Sequence, residues 1–168
     1  EFKDYKKYEA IIFRKENSIG FVTLNRPDVL NAMNQQMSSE LVHCFRTMQI
    51  DDGIRCVIIN GAGRAFCAGA DLSTVGKKGG PGGEGSVIKA ALNAQRQPVR
   101  GTPIFFRLIE TFDKPVIAAI HSWAPAGGTE LAVCCDMVVA TKDAKFALRE
   151  PALGLFCASS GHKRGTGT

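Results

Sequence analysis

No apolar stretch in this sequence approaches the ~20 residues that a membrane-spanning helix needs. The longest, "VIAAI" and "LAVCC", suit buried strands or helix faces. With no N-terminal secretory pattern either, an intracellular protein without membrane association is expected. No C-x-x-C pair occurs, and the cysteines (Cys44, Cys56, Cys67, Cys134, Cys135, Cys157) fall mostly within apolar runs. That argues against a disulfide framework and against a zinc site, and leaves them as small core residues. His43, His121 and His162 lack metal-ligand spacing, so no metal is expected. The Gly-rich "VGKKGGPGGEG" lacks the G-K-[ST] ending of a phosphate-binding P-loop, and "ASSGH" is not a G-x-S-x-G elbow. In "GAGRAF", Phe66 stands where a dinucleotide fingerprint needs its third glycine.

What is present fits one domain. The 168 residues are 45% hydrophobic, enough apolar material for a core. A net charge of +5 suits a phosphate-bearing ligand or a merely solvated surface, with nucleic acid the less favoured partner. "AIIFR" and "IGFVTL" read as a hairpin around "KENS". From Asn34, a candidate N-cap, Met37, Leu41, Phe45 and Met48 keep helical spacing. "CVIIN" and "VIAAI" read as buried strands that run into "GAGRAFCAGADL" and "HSWAPAGGTEL", a weak internal repeat of strand, Gly-rich connection and helix start. Between them a mobile loop is expected at about 76–86, followed by helical segments around "SVIKAALNAQ" and "PIFFRLIETF". A helix at 129–135 and short strands "MVVAT" and "KFAL" complete the pattern.

The chemistry concentrates in "CAGAD" and "APAGGTELA". In both, small residues at the end of a buried strand let backbone N–H groups turn outward, where an oxyanion could be held. Two tight turns packed against each other is an equally good reading of the same residues. Glu130 suits the positive end of a helix dipole on its own account. Glu150, at the end of the apolar "KFAL", is a second acid in an unusual place, and two carboxylates beside an oxyanion site make a coherent general acid–base pair.

Four blocks then resemble a known family: "LNRPDVLNAM", "AFCAGADL", "KPVIAAIHSWAPAGGTELAVCCDMVVAT" and "FALREPALGL" are similar, in order and spacing, to the crotonase (enoyl-CoA hydratase/isomerase) superfamily. The resemblance runs over about residues 10–164. It implies an α/β fold, a spiral of ββα repeats forming a single core domain over 1–168, without the C-terminal helical segment with which family members continue past "GHKR". It implies an acyl-CoA thioester whose carbonyl oxygen sits between the N–H groups of Ala70 and Gly127, with Glu130 and Glu150 orienting water and protonating the α-carbon. Ala68, Asp71, Leu72 and Gly128 are the further substrate-binding positions, and Arg26, Lys77 and Lys78 are candidates for the CoA phosphates. No cofactor is implied beyond the coenzyme A that the substrate carries, and full-length members form homotrimers or hexamers. Holding both acids favours a hydratase that forms a 3-hydroxyacyl-CoA. Ala158, where dienoyl isomerases carry Asp, counts against that branch. The alternatives are isomerisation or C–C cleavage of an acyl-CoA, or CoA or RNA binding without turnover.

Overall fold

The computed structural model describes residues 5–71, 73 and 104–148. Strands β1 (Ile11–Glu16) and β2 (Ile19–Leu24) form the expected antiparallel hairpin, with Ile11 opposite Leu24 and Glu16 opposite Ile19. Asn17 and Ser18 both take positive φ (47° and 63°), which matches the right-handed strand twist as a primed turn does. Alternate residues of β2, Gly20, Val22 and Leu24, are buried, as its period of two requires.

A single 3-10 turn at Pro27–Val29 leads to helix α1 (Gln35–Gln49). Asn34 caps it, its Oδ1 accepting the Met37 N–H at 2.9 Å. Met37, Leu41, Cys44, Phe45 and Met48 of α1 are buried against the sheet. At its other end Lys114 donates from Nζ to the carbonyls of Met48 and Asp51, both at 2.7 Å, which suits a cation at a helix C-terminus.

The rest of the described chain repeats one motion. Strands β3 (Cys56–Gly61), β4 (Val116–Ile120) and β6 (Met137–Ala140) join the main sheet in parallel, giving the order β1-β2-β3-β4-β6. After each of these strands the chain turns aside into a smaller sheet. There β5 (Trp123–Pro125) pairs in parallel with β7 (Lys145–Ala147), and Ala65 adds a bridge to Trp123 on the other side. Helix α2 (Ile104–Glu110) precedes β4, and α3 (Gly127–Cys134) follows β5. Main-sheet strand, small-sheet rung and helix thus recur along the chain as a spiral of ββα turns.

Two expectations shift. The helix placed at 129–135 begins two residues earlier, because Ala126 takes the capping position and its carbonyl accepts the Glu130 N–H. The doubled glycine is therefore the first turn itself. Cys56 is only half-buried, whereas Cys44, Cys67, Cys134 and Cys135 are core residues. Strand β6 is apolar and exposed throughout, and it stands last in the main sheet among the described residues. The loop at 76–86, the segment 86–95, Leu72, Lys77, Lys78, Glu150, Cys157, Ala158 and His162 lie outside the described residues.

Candidate active site

Two connections, 61–71 after β3 and 121–126 after β4, meet at the start of α3. The N–H groups of Phe66 and Cys67 both donate to the Trp123 carbonyl, at 3.0 and 3.3 Å, which stitches one connection to the other. Gly69 takes φ +93°, and a Cβ there would stand 3.0 Å from the Gly127 nitrogen. Both its conformation and its clearance require glycine. Gly128 packs still closer, since a Cβ on it would lie 2.1 Å from the Cys67 carbonyl oxygen. The glycines of "APAGGTELA" therefore let α3 start directly against the 61–71 connection.

This approach brings the Ala70 and Gly127 amides together. A Cβ built on Gly127 would stand 3.6 Å from the Ala70 nitrogen. The residues flanking Ala70 are fixed to Met33, whose N–H donates to the Gly69 carbonyl (2.7 Å) and whose carbonyl accepts the Asp71 N–H (3.0 Å). The Ala70 N–H itself is left over, with no acceptor among the described residues. The Gly127 N–H, in the first turn of α3, has no intrahelical acceptor by position and none among the described residues. Two such donors, at the positive end of a helix dipole, suit an oxygen that carries negative charge.

Glu130 lies in the same first turn but is only 6% exposed. An acid serving only the dipole has no need to leave water, and ionisable side chains are seldom so buried without a partner or a task. Thr129 anchors the turn beside it. Its hydroxyl donates to the Ala124 carbonyl and accepts the Ala147 N–H (3.3 Å), while the Ala126 N–H donates to the Ala147 carbonyl (2.6 Å). The end of β7, three residues before Glu150 in the sequence, is thereby fixed to the start of α3.

Arg26 and Asp71 meet across 45 residues. Arg26 Nη1 stands 2.8 Å from Asp71 Oδ2 and also donates to the Ala32 carbonyl. Ser73 donates to Asp71 Oδ1 from its hydroxyl (2.7 Å) and its amide (3.0 Å). The Ser73 hydroxyl first, and then Arg26, hold the Asp71 carboxyl below its ordinary range, against the opposing effect of burial. A depressed folded-state pKa stabilises the fold above the unfolded carboxyl's value near ~3.9 and is lost as pH falls through the folded value. Urea midpoints measured from pH 5 down to pH 2 are thus expected to fall more steeply in the wild type than in Asp71→Asn. So Arg26, a candidate for phosphate contact, has an internal carboxylate partner, and Asp71 is an ion-pair residue.

Of the other expected positions, Ala68 donates its N–H to the Leu30 carbonyl (2.9 Å) and Gly128 is buried against Cys67. A residue that the motifs did not single out is Asn31. Fully buried at φ +57°, it donates from Nδ2 to the carbonyls of Ala62, Ala65 and Phe66. The only signal for it in the sequence was an Asn just after a Pro-initiated turn, where a left-handed backbone favours that residue. Among the described residues no cluster of His, Cys, Asp or Glu could hold a metal ion, and no helix is long and apolar enough to cross a membrane.

Fold and site together define a class: a ββα spiral in which successive turns bring two amide-bearing connections together beside a buried acid. The family model described as enoyl-CoA hydratase/isomerase matches residues 14–166, and the chain belongs to that family, the crotonase superfamily. It is 35% identical to the crotonyl-CoA hydratase of Syntrophomonas wolfei, over 94% of this chain and 56% of that one. It is also 35% identical to the 1,2-epoxyphenylacetyl-CoA isomerase of Escherichia coli, over 88% of this chain and 53% of that one. A Thermobifida fusca protein assigned as an enoyl-CoA hydratase and solved with acetoacetyl-CoA superposes with a TM-score of 0.74 at 28% identity, covering 90% of this chain and 58% of that one. The chain thus spans just over half the length of these three relatives.

Proposed function

We propose that this site serves an enoyl-CoA hydratase-type reaction, the addition of water across a 2-trans-enoyl-CoA to give a 3-hydroxyacyl-CoA. The observation that carries the reading is the close approach of the Gly127 and Ala70 amides, both without acceptors among the described residues, beside the buried Glu130. The thioester carbonyl oxygen would accept both N–H groups, drawing electron density from the conjugated double bond as the water oxygen attacks the β-carbon. One water proton passes to a carboxylate, and a proton delivered to the α-carbon discharges the enolate. Glu130 and Glu150 are the proposed pair for these transfers, with coenzyme A carried by the substrate and no further cofactor. Preorganised amides of this kind are worth roughly 10²–10³-fold in kcat per donor in other acyl-transfer sites.

A second reading, isomerisation through the same enolate, is favoured by the equal identity to an isomerase and a hydratase. One scaffold supports both chemistries. A panel of crotonyl-CoA, a 3-enoyl-CoA and a 1,2-epoxyacyl-CoA, with products identified by mass, decides between them. Gain of one water on crotonyl-CoA is the expected result. Isomeric products without that gain overturn hydration in favour of the second reading, and acyl-CoA binding without turnover of any substrate overturns both.

A further inference from the structure

The proposed oxyanion site needs the Ala70 N–H to be held in one place, yet Ala70 lies on an irregular connection, not on a strand or helix. The contacts that fix this connection come largely from one short segment, residues 30–33. Leu30 and Asn31 both take positive φ (53° and 57°), which folds the segment tightly enough to face the connection with side chain and backbone at once. The Leu30 carbonyl accepts the Ala68 N–H, the Asn31 carbonyl accepts from Cys67 Sγ (3.3 Å), and Met33 holds Gly69 and Asp71 on either side of Ala70. At the centre, the Asn31 amide nitrogen gathers the carbonyls of Ala62 (2.8 Å), Ala65 (2.8 Å) and Phe66 (3.2 Å) while its Oδ1 accepts the Arg26 N–H (2.8 Å).

We infer that Asn31 is a positioning residue for the acyl thioester, acting through the 61–71 connection on the Ala70 amide. The inference rests on the oxyanion reading of Ala70 and Gly127 proposed above. Three carbonyl oxygens repel one another when brought to a common point, and a buried N–H donor is what makes their convergence stable. Asn fits because its side chain supplies the donors and its backbone tolerates φ +57°. Without it the carbonyls separate, the connection relaxes, and the Ala70 N–H moves away from the Gly127 N–H. Displacements near 1 Å in such sites cost about 10²-fold. Coenzyme A alone has no acyl oxygen to place between the two amides, so its affinity does not depend on this register.

The test compares two ligands, acetoacetyl-CoA and coenzyme A, by calorimetric titration of the wild type, Asn31→Gly and Cys67→Ala, each first checked for a cooperative thermal transition. Asn31→Gly keeps the left-handed backbone and removes the donors, while Cys67→Ala removes the thiol contact to the Asn31 carbonyl together with the Gly69 N–H contact to the same sulfur (3.5 Å). The wild type is expected to prefer acetoacetyl-CoA, and Asn31→Gly to lose roughly 10- to 100-fold of that preference while binding coenzyme A as before. A merely structural loss lowers both affinities together. An unchanged preference in folded Asn31→Gly overturns the positioning role. If that variant does not fold, Cys67→Ala decides, with a severalfold loss of preference supporting the role and none overturning it. A wild type that binds coenzyme A but shows no preference for acetoacetyl-CoA overturns the oxyanion reading instead, so the two failures are distinguishable.

Discussion

Glu130→Gln is expected to lower kcat for hydration of crotonyl-CoA by about 10²–10⁴-fold, the usual contribution of a positioned acid–base group, with little change in acetoacetyl-CoA affinity. The substitution keeps the shape of a side chain that is almost wholly buried in the first turn of α3. It removes the carboxylate's ability to take a proton from water, while any change in thermal stability reports what else the carboxylate holds in the fold. Steady-state kinetics beside a thermal melt separate the two effects. A variant with kcat within twofold of wild type would remove Glu130 from the chemistry and leave it as a structural acid of the helix start.

Gly128→Ala is expected to destabilise the fold by on the order of 3 kcal/mol, at the upper end of overpacking costs, and to weaken acyl-CoA binding with it. The new Cβ would stand 2.1 Å from the Cys67 carbonyl oxygen and 3.0 Å from its carbon, both backbone atoms that no rotamer change can move. Relief requires α3 to move away from the 61–71 connection, which separates the two amides. Gly127→Ala provides the contrast. Its Cβ meets the Met33 Cε at 2.7 Å, the end of a flexible side chain, so its cost in stability should be smaller. Urea unfolding of the two variants side by side checks the order, and equal stabilities would contradict the close approach of Gly128 to Cys67.

The legible parts of this fold are those written in local patterns. The alternation in β2, the helical spacing from Met37 to Met48 and the Asn34 cap each depend on neighbours within a few residues, and each stands where the sequence implied. The apolar "MVVAT" also forms a strand, but its composition carries no information about its place in the sheet, and β6 stands exposed at the end of the strand order among the described residues. Pairings across long separations left no such trace. Arg26 and Asp71 each read as candidate ligand contacts, and only the folded chain shows that they face one another. Asn31 leaves little trace in the sequence because its partners, Ala62, Ala65 and Phe66, contribute backbone carbonyls that any residue carries. Glycine spacing marks out both connections, while the sequence alone leaves paired amides and packed turns equally open. Their adjacency, and the burial of Glu130, came from the way successive ββα turns stack.

The most direct test is an amide NMR titration of the uniformly 15N-labelled chain with acetoacetyl-CoA, using coenzyme A as the reference. A thioester oxygen held between the two donors should shift the Ala70 and Gly127 N–H resonances together, in proportion to saturation, and far more than coenzyme A does. Saturation by acetoacetyl-CoA with those two resonances unmoved, or moved equally by coenzyme A, would contradict the account.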